Sequence, residues 1–140
     1  MSALFFLTLV FAILANTALA QTNSTEPQQY LCVSDMANGF RYNEQSNLWE
    51  HAKFRPGSKW IIRRPEVAIG GWVYSEIGRG FRQYCDKNFD YKGNLRCNDD
   101  LELLEFNKNT LRYMRVYKFG YVSQSIGDTP LIEIGTCAAF

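Results

Sequence analysis

An all-β fold, a small antiparallel barrel or two-sheet sandwich of about eight strands, is what this sequence predicts, and three observations carry the prediction. From Tyr30 onward, short apolar or aromatic runs alternate with turn residues, the pattern of many short strands. No long amphipathic helix is visible among them. Four cysteines, Cys32, Cys85, Cys97 and Cys137, come after a leader-like start, so two disulfides are expected to staple the domain.

Residues 1–20 read as a signal peptide. Ala3 to Leu14 is an apolar run without a charge, and Ala18-Leu19-Ala20 supplies the small-x-small cleavage pattern, which places the new N-terminus at Gln21. The n-region has no Lys or Arg, so the apolar run and the cleavage pattern carry this reading. The run is well short of the ~20 residues of a membrane-spanning helix, and no stable membrane span is expected after cleavage. Residues 21–29 are polar and aperiodic and read as a flexible tail. The remaining stretch, 30–140, has the length of one domain.

Within that domain, Tyr30 to Ser34 reads as the first strand, Met36-Ala37-Asn38-Gly39 as a turn and Phe40 to Asn43 as the return. Leu48 to Phe54 and Lys59 to Arg63 read as a second pair, joined by Arg55-Pro56-Gly57-Ser58, in which Pro-Gly suits a tight turn. Pro65 ends that pair; Gly70-Gly71 opens the stretch Trp72-Val73-Tyr74, and Gly78 and Gly80 mark a bend before Phe81 to Cys85. Leu101 to Phe106 reads as a strand, with a short helix as the alternative, and Asn107 to Thr110 as the turn after it. Leu111 to Val122 and Leu131 to Cys137 close the domain, the last with Ile132, Ile134 and Thr136 alternating against Glu133 and Gly135.

Of the three disulfide pairings, Cys85 with Cys97 and Cys32 with Cys137 are expected: the first pair flanks a polar, turn-rich segment, and the second ties the first strand to the last. Chain-entropy reasoning assigns about 3 kcal/mol to the short loop and about 5 to the long one. Zinc is disfavoured, because no C-x-x-C pair occurs and His51, the one histidine, is remote in sequence from every cysteine. Fifteen Lys and Arg balance fourteen Asp and Glu, which argues against bulk electrostatic binding of nucleic acid or anionic membrane.

The series Cys32-Val33-Ser34-Asp35, Gly39-Phe40, Trp49, Phe54, Trp60-Ile61-Ile62-Arg63, Gly120-Tyr121-Val122 and Ile132-Glu133-Ile134-Gly135-Thr136-Cys137 resembles small exported proteins of bacteria and their phages. The resemblance implies export and a single β-domain, and it implies no catalytic residue.

Candidate sites are few. Asp86-x-Asn88-x-Asp90 has the alternating oxygens that open a calcium loop, but Tyr91 and Cys97 stand where an EF-hand needs glycine and a bidentate carboxylate, so only an incomplete calcium turn is considered. Tyr113, Arg115 and Tyr117 share one face of a strand and form a candidate ligand-binding platform of rings and charge. No nucleophile elbow, metal-binding histidine pair or phosphate loop is present, and no catalytic residue is assigned. The function expected is a non-enzymatic exported β-domain that holds a small-molecule or saccharide ligand at a barrel mouth or aromatic face. The alternatives are an interaction module for an exported protein partner, contacting through Asp86 to Arg96 and Ser123 to Pro130, and a carboxylate-dependent hydrolase.

Overall fold

The computed structural model describes residues 26–65, 71–80 and 83–140. The expected signal peptide, the first part of the tail, and Gly70 and Phe81 lie outside the described residues. Among the described residues, nine strands form one antiparallel sheet: β1 (Gln29–Asn43), β2 (Leu48–Phe54), β3 (Lys59–Arg63), β4 (Val73–Glu76), β5 (Gln83–Tyr84), β6 (Asn94–Asn98), β7 (Glu102–Asn107), β8 (Arg112–Tyr117) and β9 (Leu131–Ala139). Eight of them run in the order β5-β4-β3-β1-β9-β8-β7-β6, and β2 pairs with β1 off this path. The two ends of the path meet at a bridge between Cys85 and Cys97, where the Asp86 amide also donates to the Arg96 carbonyl at 2.8 Å. The result is a nearly closed barrel, the first of the two architectures the sequence allows.

Both disulfides form as expected, Cys32 with Cys137 and Cys85 with Cys97. Cys32 and Cys137 stand directly opposite each other where the first strand pairs with the last. Cys85 and Cys97 lie at the closing seam, so one disulfide ties the first strand to the last across 105 residues and the other, across 12, ties the two ends of the sheet.

Several elements differ from expectation, each for a local reason. The turn at Met36 to Gly39 is absent, and β1 runs unbroken through it, absorbing one extra residue as a bulge between Ser34 and Met36. Gly39 has no left-handed backbone; its missing side chain instead lets Pro130 and Leu131 lie against it, where a Cβ would fall 2.7 Å from the Leu131 Cα. The reversal comes later, at residues 44–47, where the Asn43 side chain accepts from the Gln45 and Ser46 amides and Asn47 takes a φ of 52°. The strands β2 and β3 do not pair with each other. Both lie antiparallel to β1 along the same edge, β2 beside Ala37 to Asn43 and β3 beside Gln29 to Val33, and Arg55 to Ser58 is the break between them. A strand absent from the expectation, β6, takes in the last three residues of the segment read as loop, Asn94 to Arg96, and runs on to Asn98. Further along, β8 stops at Tyr117, short of the expected Val122, and residues 118–130 form a loop. Glu26 to Gln28, read as tail, are held: Glu26 pairs with Lys108, and the Arg64 amide donates to the Gln28 carbonyl at 3.0 Å.

The barrel interior has two layers. One is apolar, built from Tyr30, Trp72, Phe106, Leu95, Leu104 and the Cys32 and Cys137 sulfurs, with Phe89 packed against it. Tyr30 and Phe106 rings lie 4.7 Å apart, and Trp72 and Phe89 4.9 Å apart. Beside it is a polar layer of Trp60, Tyr74, Tyr113, Arg115, Glu102 and Glu133.

Candidate functional site

Alternation along β8 brings Tyr113, Arg115 and Tyr117 together on one face, as read from the sequence, and that face is the barrel interior. There the three side chains have protein partners already. Glu133 accepts from the Tyr113 hydroxyl at 2.6 Å, from the Trp60 indole at 2.8 Å and from Arg115 at 3.4 Å. Arg115 also donates to Glu102 at 2.7 Å and places its guanidinium 4.5 Å from the centre of the Trp60 ring. Tyr117 donates to Asp128 at 3.1 Å, and Tyr74 donates to Glu102. Burial, and then the bonds to Glu133 and Glu102, push the Tyr113 and Tyr74 hydroxyls far above the ordinary phenol range, so both stay protonated donors. Glu133 and Arg115 are 2% and 7% exposed. This is a buried charge network, closed among its own members except for the Arg115 Nε, which has no partner, rather than an open platform, and its carboxylates are held by donors rather than aimed at a substrate.

The Asp86, Asn88 and Asp90 segment is likewise engaged locally. The Asp90 carboxylate accepts from the Lys92 and Asn94 amides, both at 2.8 Å, and from the Asn94 side chain at 3.0 Å. These bonds, that of the Asn94 side chain foremost, hold the Asp90 carboxyl below its ordinary range. Asn88 accepts from Arg64 at 3.1 Å. With Gly93 at a φ of 82°, the segment is a tight turn leading into β6, and among the described residues no three metal-ligating side chains converge. The aromatic reading fares differently again: Tyr42, Trp49 and Tyr121 meet at the outer end of the β1–β2 hairpin, but the rings contact edge to face, at 63° and 70°, and offer no shared flat surface for a sugar ring.

The informative face is the outside of β1, β9 and β8. Here the expected polarity of β9 is reversed: Glu133, Gly135 and Cys137 point inward, while Ile132 and Ile134 are 52% and 45% exposed. Register extends the pattern across strands. Ile134 lies between Met36 and Met114, and Ile132 between Asn38 and Val116, all on the exterior. Phe40, 53% exposed, stands next along β1, directly opposite His51 on β2. Comparison with protein-family models, curated proteins and solved structures returns no match. The chemistry of the site therefore rests on its own geometry.

On this face a groove of about 440 Å³ is floored by Phe40, Val116, Pro130, Leu131 and Ile132, with His51 at one end and Lys118 at the other. That volume lies in the range of small-ligand sites. A larger hollow, about 690 Å³, covers β6 to β8, but it is polar and much of its charge is internally matched. Arg96 is locked to Glu105, and Asn94 and Asn107 bond each other and the Asp90 turn. Of the residues lining the apolar groove, sequence reasoning had named Tyr117, as part of the platform, and Pro130, as the end of a contact loop, and it missed the rest. One signal was present: Cys137, once placed in a buried disulfide, fixes by parity that Gly135 and Glu133 face inward and that Ile134 and Ile132 face out.

Proposed function

We propose that this is an exported, non-enzymatic binding module whose ligand lies in the apolar groove on the barrel exterior rather than at the barrel mouth. The observation that carries the reading is the reversed polarity of β9, which commits Glu133 to the interior and leaves two isoleucines in water beside other apolar side chains. Burying exposed apolar surface is favourable by roughly 25 cal/mol per Å², so a face of this kind lowers its free energy by acquiring an occupant. Export is supported by two disulfides, which persist in oxidising compartments. A bilayer does not suit the apolar exterior, since β4 has four residues and β5 two, against the ~9–11 that a spanning strand needs.

The test uses anilinonaphthalene sulfonate, a dye with apolar rings. One-site fluorescence enhancement is expected with the wild-type protein, lost in Ile132→Asp while the melting curve is retained. Enhancement indifferent to that substitution would overturn the reading. A second reading, a protein-interaction module, draws on the continuation of the exposed apolar face along Met36, Ile134 and Met114 beyond the groove. Dye binding that is lost in Ile134→Asp and kept in Ile132→Asp would favour it.

A further inference from the structure

We infer, resting on the exterior-groove reading, that the groove takes a slender amphipathic carboxylate: a free medium-length fatty acid whose carboxylate meets Lys118 and whose chain lies across the strands toward His51. Three observations point to this chemistry.

The first is the charge around an apolar floor. No Asp or Glu lines the groove, whereas Lys118 does. Among the described residues, the ion pairs use Arg79, Arg96, Lys108 and Arg115, and neither Lys118 nor His51 enters one. An ammonium carries three donors. That of Lys118 gives one to the Asp99 main-chain carbonyl at 3.1 Å, which steadies the side chain without neutralising it. The remaining donors are available to an anionic oxygen beside apolar surface, where a charge-assisted hydrogen bond is stronger than in open water.

The second is shape. His51 opposes Phe40 in the β1–β2 ladder, the Phe40 amide donates to the Pro130 carbonyl, and Ile132 at the head of β9 opposes Val116 on β8. From β2 through β1 and β9 to β8 is three strand spacings, about 14 Å. An extended acyl chain fits that length, with its carboxylate at the β8 end.

The third is what the floor withholds. Phe40, Val116, Pro130 and Ile132 offer apolar carbon to a ligand's body, and between His51 and Lys118 the only polar side chains on the lining are Asn38 and Tyr117, the latter already bonded to Asp128. A saccharide, with hydroxyls around its ring, would have to leave them unpaired there, at a cost that the apolar contact does not recover. A cationic amphiphile would gain the same floor but face Lys118 with like charge.

The experiment is calorimetric titration of the full chain, with its disulfides intact, using sodium dodecanoate below its micelle concentration and dodecyltrimethylammonium under the same conditions. Dodecanoate is expected to bind one to one and about tenfold or more tighter than the cationic amphiphile. Lys118→Met should remove about tenfold of dodecanoate affinity while leaving the cationic amphiphile no weaker, Lys118→Arg should keep most of it, and Ile132→Asp should abolish binding of both. Equal affinity for the two head groups, or dodecanoate binding unchanged by Lys118→Met, would overturn the charge assignment while leaving the groove as a binding site. Failure of both amphiphiles and of the dye to bind would overturn the groove itself. Association only with dodecanoate-loaded phosphatidylcholine vesicles, and none with the free acid, would overturn the monomeric ligand in favour of a lipid surface.

Discussion

Glu133 is the residue on which the interior depends, since three donors from two strands, β3 and β8, converge on one buried carboxylate. Removing it leaves the Trp60 indole, the Tyr113 hydroxyl and part of the Arg115 charge without an acceptor, and breaking such a network costs about 3–5 kcal/mol. We predict that Glu133→Ala lowers unfolding free energy by that amount in urea titration, whereas Ile134→Lys, one position on, changes it by no more than about 0.5 kcal/mol. The reverse ranking would mean that β9 faces the other way. Asp90 supplies a test with pH. Its folded-state carboxyl is held below its ordinary value by the Asn94 side chain and the turn amides. The stability it contributes is therefore complete above the unfolded carboxylate pKa and is lost as pH falls through the lower folded value. The melting-temperature gap between wild type and Asp90→Ala is expected to be present at neutral pH and to close in strong acid; a gap that does not vary with pH would count against the turn's role.

At the level of elements, β9 and β8 meet where Gly135 lies opposite Tyr113, and a Cβ on Gly135 would fall 2.9 Å from Tyr113 Cζ. Gly135→Ala must press on the Val33 carbonyl of β1 as well as on that ring, a strain of about 1–3 kcal/mol that a denaturant midpoint will register. If the midpoint is unmoved, neither the ring nor the Val33 carbonyl is packed against Gly135. The same elements show how much of the structure is legible in the sequence. Strand existence was legible at Leu48 to Phe54, Lys59 to Arg63 and Leu101 to Phe106, because alternation and breakers are local signals. Pairing was not. Asn38-Gly39 has the composition of a hairpin turn, yet the glycine serves a close approach by Pro130, a partner more than ninety residues away that no local pattern reveals. Pro56-Gly57 likewise marks a break in the chain's path along β1 rather than a reversal. The groove escaped for a related reason: Ile132 and Ile134 carry the propensity of core residues, and only the disulfide parity of Cys137 contradicts it.

For the molecule as a whole, the two disulfides act at different joints. Cys32–Cys137 reinforces a ladder that runs the length of β9, so its loss removes chain constraint but leaves pairing in place. Replacing both cysteines by alanine should cost about 2–5 kcal/mol, read by thermal unfolding, with the fold retained. Cys85–Cys97 instead stands where the ladder is reduced to a single bridge. Its removal should raise amide exchange in β5 and β6 well above that in β1 and β9, and uniform exchange across the four strands would contradict the seam. That seam has a consequence for the chain before oxidation. With Cys85 and Cys97 as thiols, only the single bridge and the Asp86–Arg96 hydrogen bond hold the seam, and wherever it opens the edge of β6 presents unpaired amides and carbonyls that another chain can extend. A reducing cytosol would thus expose a template for polymerisation that the oxidised protein lacks, so timely thiol oxidation guards solubility as much as it guards the fold.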